Sequence, residues 1–285
     1  MKPAPFDYHA PRTADDAVSM LAEFAGRGGR VIAGGQSFVP MMAFRLARPS
    51  HLVDINGVGE LDRLLVEDAT LHIGATVRHA AIESMVSGGT LGCLLREVAC
   101  SVAHPPIRNR GTFCGSVAHA DPAAEWCLVA ATLNATIVAR SARGLRAITS
   151  GDFFQGVMTT LLAADELVTE CHIPLLADDT CIGFFEVSRR AGDFAMAAAL
   201  VTYRLHDGRI ADPHVGLGGV EPFPRRLPWV EARLAGEAPD GECFRAAAAA
   251  AAEGVEPMQD SRIATDFRRH LVSAVTLRAL QRSLP

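Results

Sequence analysis

Arg30-Val-Ile-Ala-Gly-Gly-Gln-Ser37 is a short β-branched run that stops at two adjacent glycines. It reads as a strand entering a tight loop. Because glycine has no Cβ, the consecutive amides of Ala33-Gly-Gly-Gln-Ser37 can turn toward one anion, and Gln36 and Ser37 add side-chain donors. A phosphate suits that chemistry. Thr112-Phe-Cys-Gly-Ser116, about eighty residues later, offers similar donors, and a diphosphate gripped from both sides needs two such loops. Either loop in isolation reads first as a simple tight turn; the pair shifts the reading to a ligand. Neither is a G-x-G-x-x-G opening a helix or a G-x-x-x-x-G-K-[ST] loop, so a Rossmann site or P-loop is not supported.

Working outward, Thr13-Ala-Asp-Asp16 resembles a capping box, and Val18, Leu21, Ala22 and Ala25 recur at helical spacing, predicting a helix over about 14 to 25. Pro49 to Asn56 holds a short strand, and a first small α/β lobe is expected to close at Gly57, giving residues 1–57. Leu64-Leu-Val66 and Thr70-Leu-His-Ile73 read as a hairpin, and Val77 to Val86 and Leu91 to Val102 as helices. A Pro-rich turn, His104-Pro-Pro106, precedes the second glycine-rich loop. A helix from Ala123 to Leu133 follows, then strands near 135 to 140, 145 to 149 and 166 to 173. Pro174 to Thr180 is an acidic connector, so a second lobe is expected over 58–176 and a C-terminal domain over 177–285. That domain should hold strands at Cys181 to Ser188, 199 to 205 and 214 to 220, a charged loop Arg189 to Asp193, and helices near 241 to 253 and 261 to 283.

Composition narrows the function. With 49% hydrophobic and 21% charged residues in a 285-residue chain, a packed core of more than one lobe is expected. A net charge of -5 without a basic block argues against a nucleic-acid partner. The alanine run Ala246 to Ala252 is far short of the roughly 20 apolar residues that span a bilayer, and Met1 to Pro11 has no signal-like apolar run, so a cytoplasmic protein without a membrane span is expected. The seven cysteines never form C-x-x-C, which disfavours a disulfide scaffold and a protein-ligated zinc or iron–sulfur site. His104 and His119 lie fifteen residues apart with no third ligand, and Ser116, His119 and Asp121 lack a nucleophile elbow. Ordinary hydrogen-bonding roles are expected for them, and no catalytic acid or base is found.

Taken in order, Ala33-Gly-Gly-Gln-Ser37, Leu52-Val-Asp-Ile-Asn56, Ile73-Gly-Ala-Thr76, Ile107-Arg-Asn-Arg-Gly-Thr112, Gly115 to Glu125 and Arg189-Arg-Ala-Gly-Asp-Phe194 cover nearly the whole chain. They resemble the flavoprotein medium subunits of aerobic carbon monoxide dehydrogenase and of bacterial N-heterocycle and purine hydroxylases, relatives of the FAD domain of xanthine dehydrogenase. The resemblance implies an α+β protein: a two-lobed FAD-binding fold of the vanillyl-alcohol oxidase type and a smaller C-terminal α/β domain. It implies that the FAD diphosphate lies between Ile32, Ala33, Gly34, Gly35, Gln36 and Ser37 on one side and Thr112, Cys114, Gly115 and Ser116 on the other. Glu125 is implied near the adenosine ribose, Val102 and Ala103 near the flavin, and Gly74 and Thr76 where the chain passes the cofactor. Asp193 is implied over the flavin face, although its charged loop reads equally well as a solvated turn. The molybdenum cofactor and two [2Fe-2S] clusters belong, on this resemblance, to a large and a small partner subunit, in a dimer of heterotrimers that sends electrons through FAD to an external acceptor.

Cys114 departs from the pattern, standing where the family has glycine. Its sulfur adds bulk where backbone is expected to approach the diphosphate, and a side chain resists positive φ. A negative φ with tolerated sulfur is the expectation. Two other readings compete: a self-contained flavin oxidase, and a cofactor-free module that only bridges subunits, the latter favoured by Cys114 alone.

Overall fold

The structure, a computed structural model, describes residues 2–85, 89–259 and 263–284. The first strands build a parallel three-stranded sheet in the order β1-β3-β2, from β1 (Asp7–His9), β2 (Gly29–Ile32) and β3 (His51–Asp54). Helix α1 (Ala14–Phe24) starts where predicted, because the Thr13 hydroxyl accepts the Asp16 amide. Its Ala17, Val18 and Leu21 stripe then enters the core. After β2 the chain turns through 33–37 into the short helix α2 (Phe38–Ala43).

Five antiparallel strands follow, ordered β4-β5-β10-β6-β7. They are β4 (Leu64–Glu67), β5 (Thr70–Gly74), β6 (Thr136–Ser141), β7 (Gly144–Thr149) and β10 (Leu167–Pro174), and β4 and β5 pair as the expected hairpin. Between β5 and β6 lie α3 (His79–Met85), α4 (Gly89–Ser101), α5 (Pro105–Arg108), α6 (Phe113–His119) and α7 (Glu125–Thr132). The expected end of α3 at Val86 falls outside the described residues. Between β7 and β10 come a turn of helix, α8 (Ser150–Phe153), and the small hairpin β8 (Phe154–Gly156) and β9 (Thr159–Thr160), which no periodicity announced.

Two expectations are corrected in this region. His104-Pro-Pro106 is not a plain turn but opens α5, with proline in the first helical positions, where no amide donor is needed. Thr112 to Ser116 is not a loop but a helix start: Thr112 is extended and its hydroxyl accepts the Gly115 amide at 3.0 Å. Capping overrides the low helix propensity of the small residues there.

The C-terminal sheet is antiparallel, β11-β12-β13-β14, made of β11 (Cys181–Val187), β12 (Ala197–His206), β13 (Arg209–Gly218) and β14 (Arg225–Arg226). Helices α9 (Pro228–Leu234), α10 (Gly241–Glu253) and α11 (Thr265–Arg282) cover it, and residues 261 and 262 of the last expected helix lie outside the described residues. Close backbone approach sets this packing. A Cβ on Gly183 would stand 2.0 Å from the Ala279 carbonyl of α11, and one on Gly216 would stand 1.8 Å from the Thr132 hydroxyl of α7. Every residue of α7 is buried, as expected for a helix without a polar face, and it wedges between the site region and β12–β13. Among the described residues no helix is long and apolar enough to cross a membrane.

Candidate functional site

The loop after β2 and the start of α6 meet across the junction of the first two sheets. A Cβ on Gly34 would lie 2.1 Å from the Arg110 carbonyl oxygen and 2.7 Å from Gly111 Cα, so only glycine lets the two segments touch. Gly35 adopts φ +71, the left-handed turn that reverses the chain into α2. A polar bridge fixes the approach. Asn56 Nδ2 donates to the Ala33 carbonyl at 2.6 Å, Arg78 Nη2 donates to Asn56 Oδ1 at 2.6 Å, and Arg78 Nη1 donates to the Arg110 carbonyl. One side-chain pair therefore ties the carbonyl entering the first segment to the carbonyl entering the second.

A cavity of about 760 Å³ opens where these segments meet. Ile32, Ala33, Gly34, Gly35, Gln36, Ser37, Val102, Ala103, Thr112, Cys114, Gly115, Ser116, Glu125 and Asp193 all line it. Gly74 and Thr76 do not. They stand behind the wall, where a Gly74 Cβ would meet the Leu61 carbonyl at 2.3 Å and the Thr76 amide donates to that same carbonyl at 3.0 Å. The intervening Ala75 lines the cavity instead. The spacing of small residues there reflects close chain packing, which a sequence cannot distinguish from proximity to a ligand.

Donors for an anion are available in both segments. Among the described residues the amides of Gly34, Gly35, Gln36 and Ser37 have no acceptor, while Gln36 Nε2 donates to the Gly34 carbonyl. In the first turn of α6 the Phe113 amide bonds Val77, that of Gly115 bonds Thr112 Oγ1 and that of Ser116 bonds the Thr112 carbonyl. The Cys114 amide has no acceptor among the described residues. Cys114 is helical rather than left-handed, and its buried Sγ lies 3.3 Å from the Ile73 carbonyl, within the core. Its thiol pKa is pushed well above the ordinary value, first by burial. The sulfur is thus a packing group, and Cys114 remains one of the residues lining the cavity.

Glu125 opens α7 and is buried, which raises its carboxyl from 4.5 to about 7; its own backbone hydrogen bond opposes the shift and Asp121 reinforces it. A carboxyl that titrates near neutral pH can, in its protonated form, both donate to and accept from hydroxyl groups. Glu186 on β11 is raised to about 8 by burial and by the charge of Glu125, and its Oε2 has no partner among the described residues.

Sequence reading missed His79. Trp126 Nε1 donates to His79 Nδ1 at 2.9 Å, and burial, then Arg78 and Arg108, lower the ring to about 4. The neutral ring therefore carries its proton on Nε2, beside Gly111, where a Cβ would approach within 2.5 Å. A lone histidine opening a helix gave no signal of this. His119 also lines the cavity, its pKa lowered by burial. Ser116, His119 and Asp121 form no hydrogen bond with one another among the described residues; Asp121 Oδ1 accepts the Ala123 amide. His104 packs under the 189–193 loop, where Gly192 at φ +84 leaves no space for a Cβ above the ring.

The comparisons with known proteins match this arrangement from end to end. Residues 4–176 match the family described as the FAD binding domain in molybdopterin dehydrogenase, and residues 183–283 match the CO dehydrogenase flavoprotein C-terminal domain. The chain belongs to the FAD subunits of the molybdenum hydroxylases. It is 35% identical to the caffeine dehydrogenase subunit beta of Pseudomonas sp. (strain CBB1), over 99% of this chain and 96% of that one. It is 34% identical to the carbon monoxide dehydrogenase medium chain of Hydrogenophaga pseudoflava, over 98% and 97%. Quinoline 2-oxidoreductase from Pseudomonas putida 86 contains a chain that superposes with a TM-score of 0.94 at 35% identity, covering 99% of this chain and 98% of that one. The flavoprotein subunit thus has the two-lobed FAD-binding fold and C-terminal domain of these enzymes, is a subunit of an oxidoreductase, and takes FAD as its cofactor. The cavity fits that cofactor: two glycine-dependent segments in contact and, among the described residues, amides without acceptors in each.

Proposed function

We propose that this subunit holds one non-covalent FAD as the outlet of a molybdenum hydroxylase heterotrimer. When bound, FAD would supply the redox chemistry that links the [2Fe-2S] clusters of a small subunit, and through them the molybdenum cofactor of a large one, to an external acceptor. The residues of this chain bind and orient. Amides of 34–37 and of Cys114 hold the diphosphate, Glu125 takes the ribose hydroxyls, and Val102, Ala103 and Asp193 flank the flavin. Gly74 and Thr76 act indirectly, by setting Ala75. The observation that carries this reading is the direct contact of Gly34 with Arg110–Gly111, which joins two donor-rich segments into one wall. The turn of the Cys114 sulfur into the core removes the one feature that favoured a cofactor-free bridging module. The division into 1–57, 58–176 and 177–285 and the dimer of heterotrimers form part of the same proposal, the first supported by the three larger sheets, one in each segment.

Co-expression with its partner subunits tests the proposal. Acid precipitation should release all flavin from the complex, and Gly35→Val should abolish FAD binding while substrate still reduces the molybdenum and iron–sulfur centres. Flavin retained in the pellet, or loss of cluster reduction with FAD still bound, would overturn it.

A further inference from the structure

A second set of ligand-type side chains lies on the middle sheet, outside the FAD cavity. In the antiparallel β5–β10 pair, His72 stands directly opposite His172, and Glu170 lies two residues along β10 on the same face. The alternating residues Ile73, Cys171 and Ile173 fill the core on the other face. The two imidazole rings are 4.1 Å apart between centroids. His172 Nε2 lies 2.6 Å from Glu170 Oε2, and His72 Nδ1 lies 3.6 Å from the same oxygen. One ligand atom from each residue falls within 4.8 Å of both others. The side chains are 23%, 25% and 30% exposed, reachable by an ion yet sheltered.

The geometry points to a divalent transition-metal site formed by His72, Glu170 and His172, with Zn²⁺ the ion its ligand set suits best. Zinc takes imidazole nitrogen at about 2.0–2.1 Å and carboxylate oxygen at about 2.0–2.2 Å, which places ligand atoms roughly 3.3–3.5 Å apart in a tetrahedron. The 3.6 Å contact already has that size, and the 2.6 Å contact reaches it by rotation of the Glu170 side chain, without moving the strands. Water completes the fourth position. Two nitrogen donors disfavour Ca²⁺ and Mg²⁺, which prefer oxygen. Each imidazole nitrogen aimed at the Glu170 oxygen can present a lone pair in place of an N–H, and a cation between them then serves all three groups.

The ion acts as a structural clip. β5 leads directly into Ala75 and β10 begins with Leu167 and Val168, all of which line the FAD cavity, and the Ala75 amide bonds the Thr169 carbonyl at 2.9 Å. None of the three ligands lines that cavity, so metal and flavin binding are measured separately.

The test uses the FAD-loaded full chain, stripped with a chelator, with the exposed Cys93 and Cys100 replaced by serine to remove competing thiolates. Zn²⁺ is titrated against a chromophoric zinc indicator, and the thermal midpoint is recorded with and without zinc. One Zn²⁺ per chain is expected, with a raised midpoint. His72→Gln and His172→Gln should each weaken binding at least about tenfold, equivalent to 1.4 kcal/mol, and abolish the shift in midpoint, with flavin content unchanged. Should a variant fail to fold, the otherwise unaltered chain still decides: zinc should protect His72 and His172 from diethyl pyrocarbonate, read by peptide mass spectrometry. Absence of binding up to millimolar zinc, equal binding by the double His variant, or no protection overturns the proposal.

Discussion

Replacing Gly34 by alanine perturbs the contact on which the FAD site depends. The new methyl would stand 2.1 Å from the Arg110 carbonyl oxygen, where ordinary contact begins at 3.4 Å, so one backbone must yield by about 1.3 Å. Neither segment is free to do so. Ala33 and Arg110 are pinned through Asn56 and Arg78, and Gly111 is pressed against His79. Overpacking of this kind costs about 1–3 kcal/mol of stability, and displacing one segment of a two-sided site by more than 1 Å should weaken FAD binding about a hundredfold, near 2.7 kcal/mol. Gly35→Ala provides the contrast. Its methyl meets only the Val39 and Ile32 side chains, at 3.1 Å and beyond, so its cost is the left-handed φ, about 1–2 kcal/mol, and roughly tenfold in affinity. Gly26→Ala, with nothing within 4 Å, should be silent. Titrating FAD into the three apo variants and following flavin fluorescence gives the affinities, and calorimetry gives the stabilities. If Gly34→Ala binds FAD within threefold of the unaltered chain, or less weakly than Gly35→Ala, the two segments do not meet as described.

Three further perturbations separate the roles of neighbouring residues. Cys114→Gly should cost about 1 kcal/mol or more of stability, for a helical glycine and a lost core sulfur, yet leave FAD affinity within about tenfold; a hundredfold loss in a titration would make the cysteine part of the site. Arg78→Met removes both donors that bridge Asn56 to Arg110 and should weaken FAD binding by about 1.5–3 kcal/mol, whereas unchanged affinity would show that glycine packing alone holds the segments. Glu186→Gln tests the buried carboxyl pair. Glu186 rises from 4.5 to about 8 on folding, so the folded chain favours the protonated acid, and its stabilising effect is present below pH 4.5 and lost as pH rises through about 8. The glutamine variant should therefore raise the unfolding midpoint at pH 8 and change it little at pH 4.5; equal shifts at both would refute a protonation origin.

The sequence by itself determined the elements whose signals are local. Thr13 capped α1, two short runs on either side of Glu67-Asp68-Ala69 marked the β4–β5 hairpin, and the glycines at 34 and 35 announced a turn, Gly34 allowing the close approach and Gly35 the positive φ. The ordered motifs from Ala33 to Phe194 carried the family. Local signals could not say which small residues face a ligand and which face another chain segment. Gly34 and Gly74 look alike in sequence, yet one joins two walls of the cavity and the other makes way for the Leu61 carbonyl. Nor could they say where a side chain points. Cys114 read as a tolerated sulfur beside the site, and only the helix beginning at Phe113 showed it turned toward Ile73, while His79 had no visible role until Trp126, 47 residues away, fixed its proton. Both depend on contacts between residues distant along the chain, which only the packing of α6 against β5 and β10 and the meeting of α7 with the start of α3 bring together.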